Sequence, residues 1–160
     1  MEDSVEYSAQ AQPDVPLNRL VTYRIARLHA KLNSQATRIL KENGKLTLMQ
    51  WRVLVIVNAT EDATHSKIAT KTQIDGGQIS RCVKSMIAAD LLSAEVHPTD
   101  HRQVNLRMTP KSTAMFQQAL PAMRKRQSYF GKALPKEQHD VLITAFDTLD
   151  AMTELSVFPD

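Results

Sequence analysis

The sequence is poor in the residue types that mark several classes of protein. Its 160 residues include a single cysteine, Cys82, and only four glycines. One cysteine can form neither an intramolecular disulfide nor a cysteine-rich zinc site, so a disulfide-stapled scaffold is excluded and a reducing compartment is expected. No apolar run of about 18 residues occurs, and a membrane-spanning helix is therefore not predicted.

Signals of catalysis are also missing. The five histidines lie on separate predicted elements, and the HExxH motif of zinc-binding helices does not occur. There is no nucleophile elbow, phosphate-binding loop or dinucleotide fingerprint. We therefore predict neither an enzyme nor a metal or cofactor site.

Charge is distributed unevenly along the chain, although the net charge is only +3. Residues 1–18 contain four acids and no base, which is unlike a secretory signal and predicts a disordered acidic tail over residues 1–16 of a cytoplasmic protein. Residues 19–132 hold 19 basic against 7 acidic residues, whereas residues 133–160 hold one basic against six acidic. The excess of basic residues in the middle of the chain is thus suited to binding a polyanion. Lysines and arginines that merely keep a domain soluble would give the same composition.

Hydrophobic periodicity predicts a helical N-terminal half. Apolar residues recur every three or four positions over residues 17–40, which is typical of an amphipathic helix, and Asn43-Gly44 supplies residues that tolerate a left-handed turn at its end. Thr47 is placed to cap a second helix. Residues 51–57 of that helix are apolar on nearly all sides, so we expect it to be buried.

The next segment has the pattern of a helix-turn-helix. Thr64 is placed to cap a short helix over residues 66–72, and a turn follows at residues 73–76. A further helix is predicted from about Gly77 to Ala89. Two short helices joined by a tight turn are typical of DNA-binding proteins.

A hairpin is predicted directly after these helices. Apolar and polar residues alternate over residues 92–97 and again over residues 104–108, where Asn105 and Arg107 take polar positions. The polar connection, residues 98–103, would project as a wing. Thr109-Pro110 then begins a long helix, since proline is favoured at the first helical position, and we expect a bend in it at Pro121. A last helix after Pro135 bears one apolar stripe on an acidic background.

The helix predicted from Gly77 offers side chains suited to reading DNA. If Ile79, Cys82, Val83 and Met86 point into the core, the residues that face outward, fully or in part, are Gln78, Ser80, Arg81, Lys84 and Ser85. Arginine can donate two hydrogen bonds to guanine and glutamine can pair with adenine, while serine or lysine can hold phosphate. A merely solvated polar face is the alternative interpretation.

The wing offers a second set of contacts. Arg102 on a projecting turn can enter a narrow minor groove, where the negative potential is enhanced. Asp100 would orient it by pairing with the guanidinium, although a surface ion pair of little energy is the alternative. His101 is a further candidate for a phosphate contact.

Taken together, the residues over 17–155 resemble the MarR family (multiple antibiotic resistance regulators). The most specific part is Asp100-His101-Arg102 followed by Leu106-Arg107-Met108-Thr109, which is similar to the family's wing signature of Asp-x-Arg and a closing Leu-Thr. Residues 46–54, LTLMQWRVL, and Ala119-Leu120-Pro121 are also similar.

This resemblance implies a homodimer that binds double-stranded DNA. Residues 17–43 and 110–156 would form the helical dimerisation region, and residues 45–109 the winged helix-turn-helix lobe. Two recognition helices would enter successive major grooves of a pseudo-palindromic operator. Two glycines usual in the family are replaced here, by Asp90 at the end of the recognition helix and by Ser112 after the closing Leu-Thr.

The resemblance also implies a small aromatic or carboxylated effector. Candidates to contact it are Tyr23, Arg27, His29 and Trp51, because an arginine beside aromatic side chains could hold an aromatic acid, although Trp51 is more simply a core residue. Cys82 invites a redox interpretation, but its position matches an apolar core site. We predict a transcription regulator that represses and is released by an effector; the alternative is a winged-helix module that binds protein instead of DNA.

Overall fold

The computed structural model describes residues 16–96 and 104–155, which form a mainly helical fold with one antiparallel hairpin, as predicted. The elements are α1 (Val21–Asn43), α2 (Leu48–Ala59), α3 (His65–Thr72), α4 (Gly76–Ala88), β1 (Leu92–Val96), β2 (Val104–Met108), α5 (Pro110–Gly131) and α6 (Lys136–Thr153), with a short 3-10 turn at Leu17–Arg19 before α1. Most of the predicted acidic tail and the connection of the hairpin lie outside the described residues.

The chain divides into two compact units, each made of segments that are close in space. Of the described residues, 30–96 and 104–127 belong to the central unit, and 16–29 and 128–155 belong to the terminal unit. The division falls within α1 and within α5. The predicted boundaries of the lobe, residues 45–109, and of the dimerisation region, residues 17–43 and 110–156, stay predictions.

Local capping explains where several helices begin. The Thr47 hydroxyl accepts a hydrogen bond from the Gln50 amide, and the Gln50 side chain accepts one from the Thr47 amide, which together make a capping box. Thr64 accepts from the Lys67 amide at the start of α3. Thr109 accepts from the Ser112 amide, immediately before Pro110 at the first position of α5. These three starts confirm the caps expected from the sequence.

The end of α1 differs from the expectation. The left-handed residue is Lys45, with φ of 53°, and Gly44 has no positive φ. Gly44 is required for another reason: a Cβ there would lie 2.8 Å from both the Ala119 Cβ and the Met115 carbonyl oxygen. The glycine therefore permits α1 to approach α5 closely, and its neighbour makes the turn.

The hydrophobic core lies in the central unit. It is centred on α2, whose Trp51, Val53, Leu54 and Val57 are buried, as the all-round apolar pattern predicted. Trp51 stacks on Phe116 of α5, with ring centroids 4.8 Å apart and planes 18° apart. Such an aromatic pair contributes about 0.5–1.5 kcal/mol beyond the burial of its area.

The hairpin pairs in the register Leu92 with Met108 through Val96 with Val104. Its burial does not follow the expected alternation, since Asn105 is buried while Val96 is exposed. The reason is a neighbouring turn. The Leu106 amide donates to the Ala63 carbonyl at 2.8 Å, so the turn after α2 lies beside β2 and covers a position that the pattern had assigned to solvent.

The terminal unit has no comparable core. Among its described residues, 16–29 and 128–155, none is buried. Large apolar side chains are exposed instead, and they are Leu17, Val21, Tyr23, Ile25, Leu28, Tyr129, Phe130, Leu134, Val141, Leu142, Ile143, Phe146, Met152 and Leu155. Within this unit α1 and α6 line an open groove of about 650 Å³, whose side chains are mostly apolar apart from Arg24 and Thr148. None of the helices in the described part of the chain is long and apolar enough to cross a membrane.

Candidate nucleic-acid interface

The geometry of the site begins with the packing of α4. Ile79, Val83 and Met86 recur on one face of the helix and are completely buried. Ile68 anchors α3 in the same core, and Gln73, with φ of 53° and ψ of 34°, makes the left-handed turn between the two helices. Because one face of α4 is fixed in the core, the opposite face is held toward solvent.

The start of α4 is capped by a side chain that the sequence analysis did not single out. The Asp75 carboxylate accepts a hydrogen bond from the Gln78 amide at 3.0 Å. Gly76 and Gly77 follow, and a Cβ at Gly77 would lie 3.0 Å from Asp75 Oδ1 and 3.6 Å from Arg81 Nη1. The Arg81 guanidinium therefore lies near the exposed backbone at the N-terminus of the helix, in space that a larger residue would occupy.

The predicted recognition residues lie on the outward face. Gln78, Arg81, Lys84 and Ser85 are exposed, and Ser80 is half-buried at the edge of the face. Within the described residues, Arg81 and Lys84 make neither a hydrogen bond nor an ion pair through their side chains. Their charges are therefore available to an external partner.

The charge of this surface extends onto α3, a feature that the sequence analysis missed. Lys67 and Lys71 are exposed and lie four residues apart, so they share one side of α3. Neither α3 nor α4 contains an acidic residue. The signal was present in the spacing, because two lysines one turn apart share a face of a helix.

The end of α4 explains one departure from the family pattern. Asp90, where a glycine was expected, has φ of 56°, a left-handed conformation that aspartate tolerates better than most residues. The Thr109 hydroxyl donates to the Asp90 carbonyl at 2.8 Å, and Lys111 Nζ donates to the Ala89 carbonyl at 2.7 Å. Both contacts tie the end of α4 to the start of α5.

Cys82 lies at the edge of the buried face of α4. Its side chain is half-buried, and its Sγ lies 3.7 Å from the Met86 Sδ. Burial raises the pKa of the Cys82 thiol, so the neutral form dominates and the thiol is a poor nucleophile. This environment agrees with the core role expected for it.

The predicted DNA contacts His101 and Arg102, and Asp100, which is predicted to orient Arg102, lie outside the described residues. The strands that lead to them are described. Arg107 of β2 donates from Nη1 to the Glu61 carbonyl at 3.1 Å, and its Nε lies 3.5 Å from the Glu95 carboxylate. The Arg107 guanidinium therefore contacts the turn after α2 and strand β1.

The four predicted effector residues are distributed between the two units. Tyr23, Arg27 and His29 are exposed on α1 in the terminal unit. Trp51 is 8% exposed in the central unit and is stacked on Phe116. Their predicted role stays a prediction. Within residues 16–96 and 104–155, no group of three or more His, Cys, Asp or Glu side chains could hold a metal ion.

Comparison with known proteins supports the winged-helix interpretation. The sequence model of the MarR family matches residues 45–103. No curated protein matches the chain. A MarR/EmrR family transcriptional regulator from Acinetobacter sp. ADP1 has a similar structure, with 18% identity, a TM-score of 0.78, and coverage of 88% of this chain and 99% of that one.

Two other similar structures contain bound molecules. The S. aureus MepR–DNA complex has 15% identity and a TM-score of 0.76, and the match covers 84% of this chain and 98% of that one. CouR from Rhodococcus jostii RHA1 bound to p-coumaroyl-CoA has 17% identity and a TM-score of 0.72, and the match covers 92% and 100%. The resemblance to the MarR family and the winged-helix fold are thereby confirmed.

Proposed function

We propose that this chain, whose residues 45–103 match the sequence model of the MarR family, is a sequence-specific DNA-binding transcription regulator. The observation that carries the proposal is the outward face of α4. Its Arg81 and Lys84, whose side chains have no partner among residues 16–96 and 104–155, project from a helix without acidic residues, while the opposite face is fixed in the core. A fixed cationic helix on the surface has the dimensions and charge that fit a major groove.

The residues on this face would have different roles. Arg81 and Gln78 would contact base edges, since both can form two hydrogen bonds to one base. Ser80, Lys84 and Ser85 would hold phosphates. Lys67 and Lys71 on α3 would add phosphate contacts beside them.

The wing would extend the interface. Arg102 would enter the adjacent minor groove with Asp100 as its orienting carboxylate, and His101 would contact phosphate. We assign no catalytic role to any residue, and as a DNA-binding protein the chain would act in the cytoplasm.

The terminal unit supports a homodimer. Its apolar side chains are exposed in the single chain, and contiguous exposed apolar surface of this kind marks a site of association. A second copy would cover the faces of α1 and α6 and place two copies of α4 about one helical turn of DNA apart. Such a dimer matches a pseudo-palindromic operator.

Regulation would come from a small aromatic or carboxylated effector. Repression follows when the operator overlaps a promoter, and release follows when the effector favours a conformation with a different spacing of the recognition helices. Tyr23, Arg27, His29 and Trp51 remain the candidate contacts. The p-coumaroyl-CoA complex of CouR supports an acyl-aromatic ligand as the first to test.

The experiment begins with selection of a duplex from a random 30-bp pool by the wild-type chain, with about 30 bp chosen to span two half-sites. Affinity is then measured by fluorescence anisotropy over a series of salt concentrations. Arg81→Ala should weaken binding to the selected duplex by at least about 10- to 100-fold, since one bidentate base contact is lost in each half-site. Lys84→Ala should weaken all duplexes alike and reduce the salt slope by about two, since each subunit of the dimer loses one phosphate contact.

Arg124→Ala on α5 is the matched control, because it removes the same charge from an exposed helix outside α3 and α4. It should leave the affinity close to that of the wild type. Failure to enrich any duplex, or binding that does not weaken with salt, would contradict the proposal and favour a protein-binding winged helix.

A further inference from the structure

The turn between α2 and α3 holds three consecutive residues of β2. The Ala63 carbonyl accepts from the Leu106 amide at 2.8 Å, and the Glu61 carbonyl accepts from Arg107 Nη1 at 3.1 Å. Between them, Asn105 Nδ2 donates to Asp62 Oδ1 at 3.2 Å. Two of these contacts use the backbone of the turn and can be made by many sequences, whereas the third needs a particular pair of side chains.

Asn105 is an unfavourable residue for stability alone. It is 4% exposed in a strand, a setting that favours β-branched apolar residues. Its Oδ1 is buried without a hydrogen-bond partner among the described residues, and such an unsatisfied oxygen destabilises the fold. The benefit of an asparagine at this position is therefore the contact of its Nδ2 with Asp62.

We propose that Asn105 and Asp62 are positioning residues that set the hairpin for DNA contact, an inference that rests on the proposed function. β1 ends at Val96 and β2 begins at Val104, so the predicted wing residues Asp100, His101 and Arg102 fall between the two strands in the sequence. Asn105 is the second residue of β2, next to the connection. A side-chain contact at this point holds the start of β2 against the turn between α2 and α3 and so fixes the position of the strand.

A role in the fold alone and a role in positioning lead to different results. If the contact only stabilises the chain, its loss lowers the melting temperature and leaves the affinity of the folded protein unchanged. If it positions the wing, its loss lowers affinity in protein that remains folded. A purely electrostatic effect of Asp62 leads to a third result. Removing a carboxylate near DNA should strengthen binding or leave it unchanged.

The test uses the full chain and the 30-bp duplex selected by the wild type. Asp62→Ala removes the acceptor, and we expect affinity to fall roughly 3- to 10-fold, the range that one net hydrogen bond represents. Glu61→Ala is the matched control, because it removes the same charge one residue away while its carbonyl still accepts from Arg107. Asp62→Asn keeps an acceptor for Asn105 and should restore affinity to at least the level of Glu61→Ala.

A second variant keeps the test independent of Asp62. Asn105→Val removes both the donor and the unsatisfied oxygen, so the melting temperature should be equal to or higher than that of the wild type, while affinity falls by the same 3- to 10-fold. In an Arg102→Ala background, Asp62→Ala should have little further effect, since the two changes would act through the same wing.

The outcomes separate the two proposals. No enriched duplex with the wild type contradicts the DNA-binding function, and the positioning role falls with it. An enriched duplex to which Asp62→Ala and Glu61→Ala bind equally well contradicts the positioning role alone. An Asn105→Val variant with unchanged affinity also overturns it.

Discussion

The two units of the chain differ most in what they bury. In the central unit, Leu40, Leu54, Ile68 and Met86 are completely shielded from solvent, and Trp51 stacks on Phe116. In the terminal unit, none of the described residues is buried, although its share of large apolar side chains is high. Burial of apolar surface is the main favourable term in folding, so the central unit is stabilised within one chain and the terminal unit is not.

This difference indicates where a partner is needed. The helices of the terminal unit are long, but helix propensity alone is marginal in water and most helical stability in proteins comes from packing of an apolar face. The exposed faces of α1 and α6 would supply that packing if a second copy covered them. Stability of the central unit should then be a property of the chain, and stability of the terminal unit a property of the dimer.

The largest expected effect compares a leucine from each unit. Leu54→Ala in the central core should lower the free energy of unfolding by about 2–5 kcal/mol at every protein concentration, because it leaves a cavity in a dry core. Leu142→Ala in α6 should cost an amount that depends on protein concentration. Urea unfolding at two protein concentrations that differ about a hundredfold measures the free-energy change of both variants. A Leu142→Ala cost independent of concentration would contradict the comparison.

The second-largest expected effect is on dimerisation of the chain. Phe146 is 43% exposed on α6, and Phe146→Asp places a carboxylate on the apolar face. We expect the dimer to weaken at least about 100-fold, since a buried unpaired charge at an interface is strongly unfavourable. Sedimentation equilibrium measures the change. Gln138→Glu adds the same charge at another exposed position of α6 and should leave the dimer intact; equal effects of the two variants would argue against a specific interface.

A pair of glycines tests the same contrast at smaller scale. Gly44→Ala should destabilise the central unit by about 1–3 kcal/mol, because its Cβ would lie 2.8 Å from atoms of Ala119 and Met115 that belong to a packed helix. Gly131→Ala in the terminal unit has open space around its Cβ and should be neutral or stabilising by up to about 1 kcal/mol. Thermal unfolding of both variants provides the measurement, and equal destabilisation would show that packing at Gly44 is looser than described.

The smallest expected effect lies in the turn between α3 and α4. Gln73 has a left-handed backbone, so Gln73→Gly should stabilise the central unit by about 0.5–1 kcal/mol. Gln118→Gly on the exposed face of α5 is the control, and it should destabilise by about 1 kcal/mol because the same change occurs inside a helix. The difference in melting temperature between the two variants checks the prediction. Destabilisation by Gln73→Gly would show that the glutamine side chain contributes more than the turn conformation.

Features encoded by neighbouring residues could be predicted from the sequence. Thr47, Thr64 and Thr109 cap helices as expected, because a cap needs only a hydroxyl and an amide three residues away. The buried face of α4 was also predictable, since the spacing of Ile79, Val83 and Met86 follows the helical period. The outward-facing residues of α4 then followed, because they are the positions that remain once the buried ones are assigned.

Features that depend on distant parts of the chain could not be predicted. Asn105 occupies a polar position in the strand pattern, and it is buried because a turn 43 residues earlier lies against it. Gly44 looked like a turn residue, and its actual constraint comes from Ala119 on another helix. A pattern of period two or 3.6 carries no information about such contacts.

The stack of Trp51 on Phe116 has a practical consequence. Trp51 is the only tryptophan of the chain, so the indole emission reports on the central unit alone, whereas far-UV circular dichroism reports on the helices of both units. Two probes that melt together would indicate one cooperative transition, and two that separate would give the stability of each unit in a single titration. Trp51 emission therefore allows unfolding of the buried central core to be followed separately from unfolding of the helices whose apolar faces are exposed in the single chain.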